Sequence, residues 1–204
     1  MTRRPAPEVF GEWAASGRDE GMAAGHAASV EAMLSLLLPD MRDGFTAIDA
    51  GCGNGWVVRL LRADPNCSAA SGVDAATEMI AKARRIDTSG DYALADIEHW
   101  SPPAPVDLVH SMEVLYYLGD LPAFLTRVRS EWMVEGGTFV AGIDHYRENP
   151  DSLDWPDECG IDMNTMTIEQ WEDSLRVAGF SEVRSVQVNA DGDWKGTLVL
   201  IATA

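Results

Sequence analysis

Three acidic residues and a run of glycines are spaced as a polar small molecule would require. Asp49 leads into Gly51, Gly53 and Gly55, Asp74 follows 25 residues after Asp49, and Asp96 lies further on. Glycine lets a backbone turn sharply and come close to a ligand where a Cβ would clash. A carboxylate such as Asp74 offers two oxygens to two adjacent hydroxyls, the pair a ribose presents. Asp49 can accept backbone N–H groups or face an amino group. Asp96 can accept from the amino group of an adenine, with Ile97 against the ring. The glycine spacing is G-x-G-x-G, whereas a dinucleotide turn, G-x-G-x-x-G, would want glycine at position 56, which is Trp56. An indole at the start of a helix crowds the space a pyrophosphate takes. The pattern therefore points to a nucleoside without phosphates.

These residues need a frame that brings them to one edge, and the apolar pattern supplies it. Phe45 to Ile48 reads as a strand, the glycines as a turn, and Trp56, Val57, Leu60 and Leu61 as a helix ending at Asp64-Pro65. Ala69 to Val73 repeats the order, with Asp74 at the strand end and Met79, Ile80 and Ala83 on one helical face. Tyr92 to Ala95 and Val106 to His110 read as strands three and four. Phe124, Leu125, Val128 and Trp132 form a helical stripe, and Gly136-Gly137 turns into a fifth strand from Thr138 to Ile143. Alternating strands and helices of this length predict a doubly wound α/β fold, a parallel sheet with helices on both faces. Thr167 to Gln170 has capping-box spacing before a helix that stops at Gly179. Val183 to Val188 and Thr197 to Ala202 flank Asn189 to Asp193 as an antiparallel hairpin, since no crossover helix fits between them. Upstream, Val30, Met33, Leu34, Leu37 and Leu38 share a helical face that Pro39 closes. The chain divides into an N-terminal helical flap over residues 1–40 and a core over residues 45–204, one domain in all.

From Phe45 onward the chain resembles the class I S-adenosylmethionine-dependent methyltransferases. Ile48-Asp-Ala-Gly-Cys-Gly-Asn-Gly55 is similar to that family's first motif and Gly72-Val-Asp74 with Met79 to its second. Ala95-Asp96-Ile97 is similar to the third, and the run from Asp107 to Leu118 to the strand-four region. The resemblance implies a Rossmann-like, mostly parallel seven-stranded sheet whose last strand is antiparallel. It implies S-adenosyl-L-methionine as cofactor and says little about the acceptor; the leading expectation is in-line methyl transfer to a small molecule. Carried over by position, Gly51 and Gly53 face the methionine part, Asp74 the ribose, Met79, Asp96 and Ile97 the adenine, and Ser111 the sulfonium side, with Asp49, Cys52 and Ala75 completing the expected cofactor-binding set. After strand four the chain has His110-Ser-Met-Glu113 in place of an N-P-P-Y-like tetrad. That sets aside the amino-group methylases of nucleic-acid bases and of glutamine.

For the acceptor's proton the candidates are His145 or His26, with Asp144 as orienter. His145 divides evenly between a core and a catalytic role, and His110 reads as a hydrogen-bonded core histidine. Trp13 and Arg18, with His26, lie in the glycine-containing stretch from Gly11 to Gly25, read either as a flap over the cofactor or as a segment docked by its aromatic. Of Tyr116 and Tyr117, one packs and the other faces the pocket. The stretch from Tyr146 to Met166 is expected to shape the acceptor site.

Composition sets bounds. A formal net charge of -18 with only 15 basic residues disfavours a nucleic-acid substrate. The cysteines, Cys52, Cys67 and Cys159, form no C-x-x-C pair and fit a reducing cytoplasm. No signal peptide, membrane span or magnesium cluster is expected; a single acid–histidine pair, Asp144-His145, offers too few oxygens. A monomer or homodimer fits. Two other readings stay open: a protein that binds S-adenosylmethionine without transferring its methyl, and a nicotinamide oxidoreductase, which Trp56 disfavours.

Overall fold

The computed structural model describes residues 3–204. Seven strands form one sheet in the order β3-β2-β1-β4-β5-β7-β6. They are β1 (Phe45–Ala50), β2 (Cys67–Asp74), β3 (Asp91–Leu94), β4 (Val106–Met112), β5 (Met133–Ile143), β6 (Ser181–Val188) and β7 (Thr197–Thr203). Strands β1 to β5 pair in parallel. β7 inserts antiparallel between β5 and β6, completing the hairpin the sequence predicts. The order turns away from β1 on both sides, so the carboxyl ends of β1 and β4 diverge at a crevice, the usual ligand site of open α/β sheets.

Period-two alternation divides the core between the two faces. Ala47, Leu108, Val140 and Val199 point to one side, under Val30, Met33 and Leu37 and against α3 (Trp56–Ala63). Ile48, Val109, Phe139 and Leu200 point to the other, under α5 (Leu121–Arg127) and α7 (Ile168–Val177). There Trp132 and Trp171 are wholly buried. The predicted capping box on α7 is present, with Thr167 accepting from the Gln170 N–H and the Gln170 side chain accepting from the Thr167 N–H. Strand five begins earlier than its glycines suggest, at Met133. Gly136 takes a φ of 76° inside the strand and absorbs a register shift against β4. Such an irregularity uses glycine without ending the strand.

The N-terminal stretch is helical although it contains glycine. α1 (Ala6–Ser16) and α2 (Arg18–Ser35) meet at Gly17, whose φ of 77° ends one helix and starts the next. α1 packs on α2 and on α4 (Thr77–Ile86). The run Arg18–Asp40 is long and apolar enough to cross a membrane by composition. Here its Val30, Met33 and Leu37 instead lie in the core against the sheet.

Candidate active site

The glycine turn is tied to the neighbouring strand, because the N–H groups of Gly51 and Cys52 both donate to Val73 O, at 2.8 and 3.0 Å. Gly51 has a φ of 78°, and a Cβ there would run into the Val114 side chain. At Gly53, φ 51°, a Cβ would meet nothing nearer than Met79 Sδ at 3.8 Å, so the backbone faces open space. Gly53 N donates to Asp74 Oδ2 at 2.9 Å and Ala76 N to Asp74 Oδ1 at 2.7 Å. The second acid is thus aimed by the backbone of both turns. Burial raises the Asp74 carboxyl, with the charge of Asp49 adding and the backbone donors opposing. Asp49 lies opposite His110 in the β1–β4 register, and His110 Nδ1 meets its Oδ1 at 2.7 Å. His110 is the hydrogen-bonded core histidine expected from the sequence. Cys52 is buried and its thiol is pushed well above the ordinary value by that burial, which leaves it no role as a nucleophile.

The turn forms the floor of a cavity of about 550 Å³. Asp49, Gly51, Cys52, Gly53, Asp74, Ala75, Met79, Asp96 and Ile97 all line it. Asp96 is exposed, and its two oxygens accept from Glu98 N at 2.9 Å and meet His99 Nδ1 at 3.0 Å. Ser111 does not line the cavity. Side chains alternate along β4, and Ser111 is turned inward, its hydroxyl donating to Ala50 O at 2.9 Å, while Met112, Glu113 and Val114 reach the opening.

The opposite wall comes from the N-terminal helices. Asp19, Met22, Ala23 and His26 line the cavity from α2 at the spacing of one helical face. His26 Nε2 lies 3.4 Å from Asp144 Oδ2 and 4.0 Å from Glu113 Oε2. Burial pulls the His26 imidazole down, yet the bond to Asp144 and the charges of Glu113 and Asp144 outweigh it, and the net shift is upward. Glu113 has a left-handed backbone, φ 60°. Its Oε1 accepts from Asp144 N at 2.6 Å and its Oε2 from the Tyr116 hydroxyl at 2.6 Å. Burial, reinforced by the charge of Asp144, pushes the Glu113 carboxyl up to about 8. Asp144 Oδ1 is buried with no hydrogen-bond partner.

Several expectations are corrected. His145 does not reach the cavity: Nδ1 meets Ser152 O and Nε2 meets Thr165 Oγ1, each at 2.8 Å, and burial holds its pKa down. It pins the loop after β5, and no described residue of 146–166 lines the cavity. Trp13 also lies off the lining, edge-on to Phe10 at 5.2 Å with the Arg18 guanidinium 4.4 Å over its ring. Phe10 faces the cavity in its place and meets Tyr117 at 5.2 Å. Tyr116 is the packed tyrosine and Tyr117 the one at the cavity.

Glu113, Asp19, Asn54 and Phe10 were not among the sequence candidates. Glu113 sits at the end of strand four, a position that could have singled it out. Asp19 and Asn54 become partners only through the tertiary packing of α2.

The donor set fits an adenosine-type ligand: a turn a Cβ would obstruct, a backbone-aligned carboxylate for hydroxyls, and Met79 and Ile97 for a ring. Such a fold and site define a class I S-adenosylmethionine-dependent methyltransferase. A methyltransferase-domain family model matches residues 22–185. The chain belongs to that family. It is 31% identical over 106 residues to a trans-aconitate 2-methyltransferase of Klebsiella pneumoniae, covering 52% of this chain and 42% of the relative. A Streptomyces avermitilis protein of the same name is 31% identical over 136 residues, 62% of this chain and 49% of the relative. The chain thus spans less than half the length of these curated relatives. Among solved structures it is similar, with a TM-score of 0.85 and 28% identity over 98% of both chains, to a chain of the complex between the Haloferax volcanii Trm112 methyltransferase activator and a methyltransferase. A Mesorhizobium loti S-adenosylmethionine-dependent methyltransferase shares the fold, with a TM-score of 0.71 and 21% identity over 87% of this chain and 98% of that one.

Proposed function

We propose that the protein transfers a methyl group from S-adenosylmethionine to a small-molecule acceptor inside the cavity. One observation carries this reading: the cofactor-type turn faces the same cavity as His26 and Glu113, with Asp144 3.4 Å from His26. The bound cofactor supplies an electrophilic methyl group on a sulfonium. Asp74 and Asp96 hold the nucleoside, Gly51 and Gly53 keep the backbone close to it, and Asp49, braced by His110, faces the cationic methionine end. His26 takes the acceptor's proton, with Asp144 and Glu113 stabilising the imidazolium that results. Phe10, Met22 and Tyr117 exclude water from the acceptor space, which strengthens these electrostatic contacts. Two buried acids beside one histidine favour turnover over mere cofactor sensing, because a binding site alone has no use for a proton acceptor there.

The test is incubation of the protein with methyl-labelled S-adenosylmethionine and a metabolite extract. Label is expected in a small-molecule product, with S-adenosylhomocysteine formed one for one. Cofactor binding with no S-adenosylhomocysteine from any extract would leave the sensor reading in its place.

A further inference from the structure

The charge of the cavity restricts what can enter it. Its ionisable lining is Asp19, Asp49, Asp74, Asp96, Glu98 and Glu113 with one histidine, His26, and among the described residues no lysine or arginine. The cations nearby are engaged elsewhere. Lys82 is 2.8 Å from Asp19, Arg4 is 2.6 Å from Glu12, and Arg18 lies over Trp13. On the methyl-transfer reading above, Asp49, Asp74 and Asp96 serve the cofactor, and Lys82 neutralises Asp19. Asp144, 3.4 Å from His26, does not itself line the cavity. Glu98 accepts from Asp120 N at 2.6 Å, and Glu113 is then the acid beside His26 that faces the acceptor space.

We infer that the acceptor is an organic amine that enters as its ammonium ion, held between Glu113 and the Phe10–Tyr117 aromatic pair, and that carboxylic acids are excluded. The inference rests on the methyl-transfer reading. An ammonium finds the Glu113 carboxyl at one end, whose ionised form the cation itself favours, and aromatic faces at the other, the two surroundings that recognise organic cations. A polycarboxylate such as trans-aconitate, for which the curated relatives are named, finds no counter-charge and a wall of like charge. The chemistry balances. The ammonium gives one proton to His26, its freed lone pair forms the nitrogen–carbon bond, and the carbon–sulfur pair leaves with sulfur. The products are an N-methylammonium ion and S-adenosylhomocysteine, and His26 later returns its proton to water.

Calorimetry on the protein saturated with S-adenosylhomocysteine tests this without turnover, using phenethylamine, its neutral counterpart 2-phenylethanol, and trans-aconitate. The amine is expected to bind at least about tenfold more tightly than either of the others, and Glu113→Gln to remove that preference while leaving S-adenosylhomocysteine affinity intact. Glutamine keeps an oxygen to accept from Asp144 N and an amide N–H that can donate to the Tyr116 hydroxyl, so the variant should fold. Equal affinity for the three probes, no binding of any, or preference for trans-aconitate overturns the inference. So does an amine preference that survives Glu113→Gln. Failure of S-adenosylhomocysteine itself to bind would instead overturn the parent reading and this one with it.

Discussion

Asp19 on α2 and Lys82 on α4 form a buried ion pair at 2.8 Å, and the Asn54 amide of the glycine turn donates to the other Asp19 oxygen at 2.8 Å. One carboxylate therefore fastens the N-terminal helices to the glycine turn and to α4, the helix that follows Asp74. Burial alone would raise its pKa, but the bonds from Lys82 and Asn54 bring it below the ordinary value. Removing one partner strands a charge, while the exposed Glu20, also 2.8 Å from Lys82, softens the loss. Asp19→Asn should cost about 2 kcal/mol of stability. Asp19→Asn with Lys82→Met should cost less than the sum of the single changes in a denaturant-unfolding cycle. Additive losses would mean that the pair is not coupled.

Asp74→Ala should weaken S-adenosylhomocysteine binding about a hundredfold, the equivalent of about 3 kcal/mol from two charge-assisted hydrogen bonds. The carboxylate also accepts from Gly53 N and Ala76 N, so a drop in melting temperature should accompany the loss. Asp74→Asn, which keeps acceptor capacity, should melt closer to the native protein. Calorimetry and thermal melts on both variants separate the roles, and an unchanged dissociation constant for Asp74→Ala would remove Asp74 from the cofactor site.

The strands, the glycine turn and the C-terminal hairpin were legible because each is written in local pattern: period-two apolar runs, glycines at positive φ and a capping box. The acids at strand ends were legible for the same reason. The other wall was not. Glu113 reaches the cavity through a left-handed residue just past β4, and no periodicity announces that. In the sequence Asp144 stands next to His145 and far from His26. Only packing reveals that one is spent on Ser152 and Thr165 and the other meets Asp144. Gly11, Gly21 and Gly25 suggested a glycine-rich flap, but tertiary contacts of α1 with α4 and of α2 with the sheet outweigh their poor helix propensity.

Glu113 carries a pH signature. Its carboxyl is raised by burial first and by Asp144 second, to about 8 in the folded protein against the ordinary 4.5. The native state therefore binds a proton that the unfolded chain has released. The associated stability is complete below about pH 4.5 and is lost as pH rises toward 8. His26, also raised overall, acts in the same direction above pH 6.5. Glu113→Gln should flatten the decline in melting temperature between pH 5 and 9 and be the more stable form at the alkaline end. Parallel melting curves for the two proteins would show that Glu113 ionises normally.

The final prediction concerns the cover formed by α1 and α2. Phe10 lines the cavity and meets Tyr117, whereas Trp13 lies off the lining, edge-on to Phe10 and beneath Arg18. Both rings are only partly buried, so neither truncation should cost the 3 to 5 kcal/mol of a fully buried aromatic, roughly speaking. Their effects on function should differ. Phe10→Ala opens the acceptor space to water and should lower turnover about tenfold or more, while Trp13→Ala acts through Phe10 and should lower it less. Digestion supplies a readout that needs no acceptor. Cleavage between Gly11 and Gly25 requires local opening of the helices, and a ligand that binds only the closed form suppresses it in proportion to saturation, about a hundredfold at a hundred times the dissociation constant. S-adenosylhomocysteine should therefore slow cleavage there in the native protein and in Trp13→Ala, and protect Phe10→Ala less. Equal cleavage with and without saturating ligand would mean that the helices do not close over the cofactor, and His26 would then lose its place beside the reacting atoms.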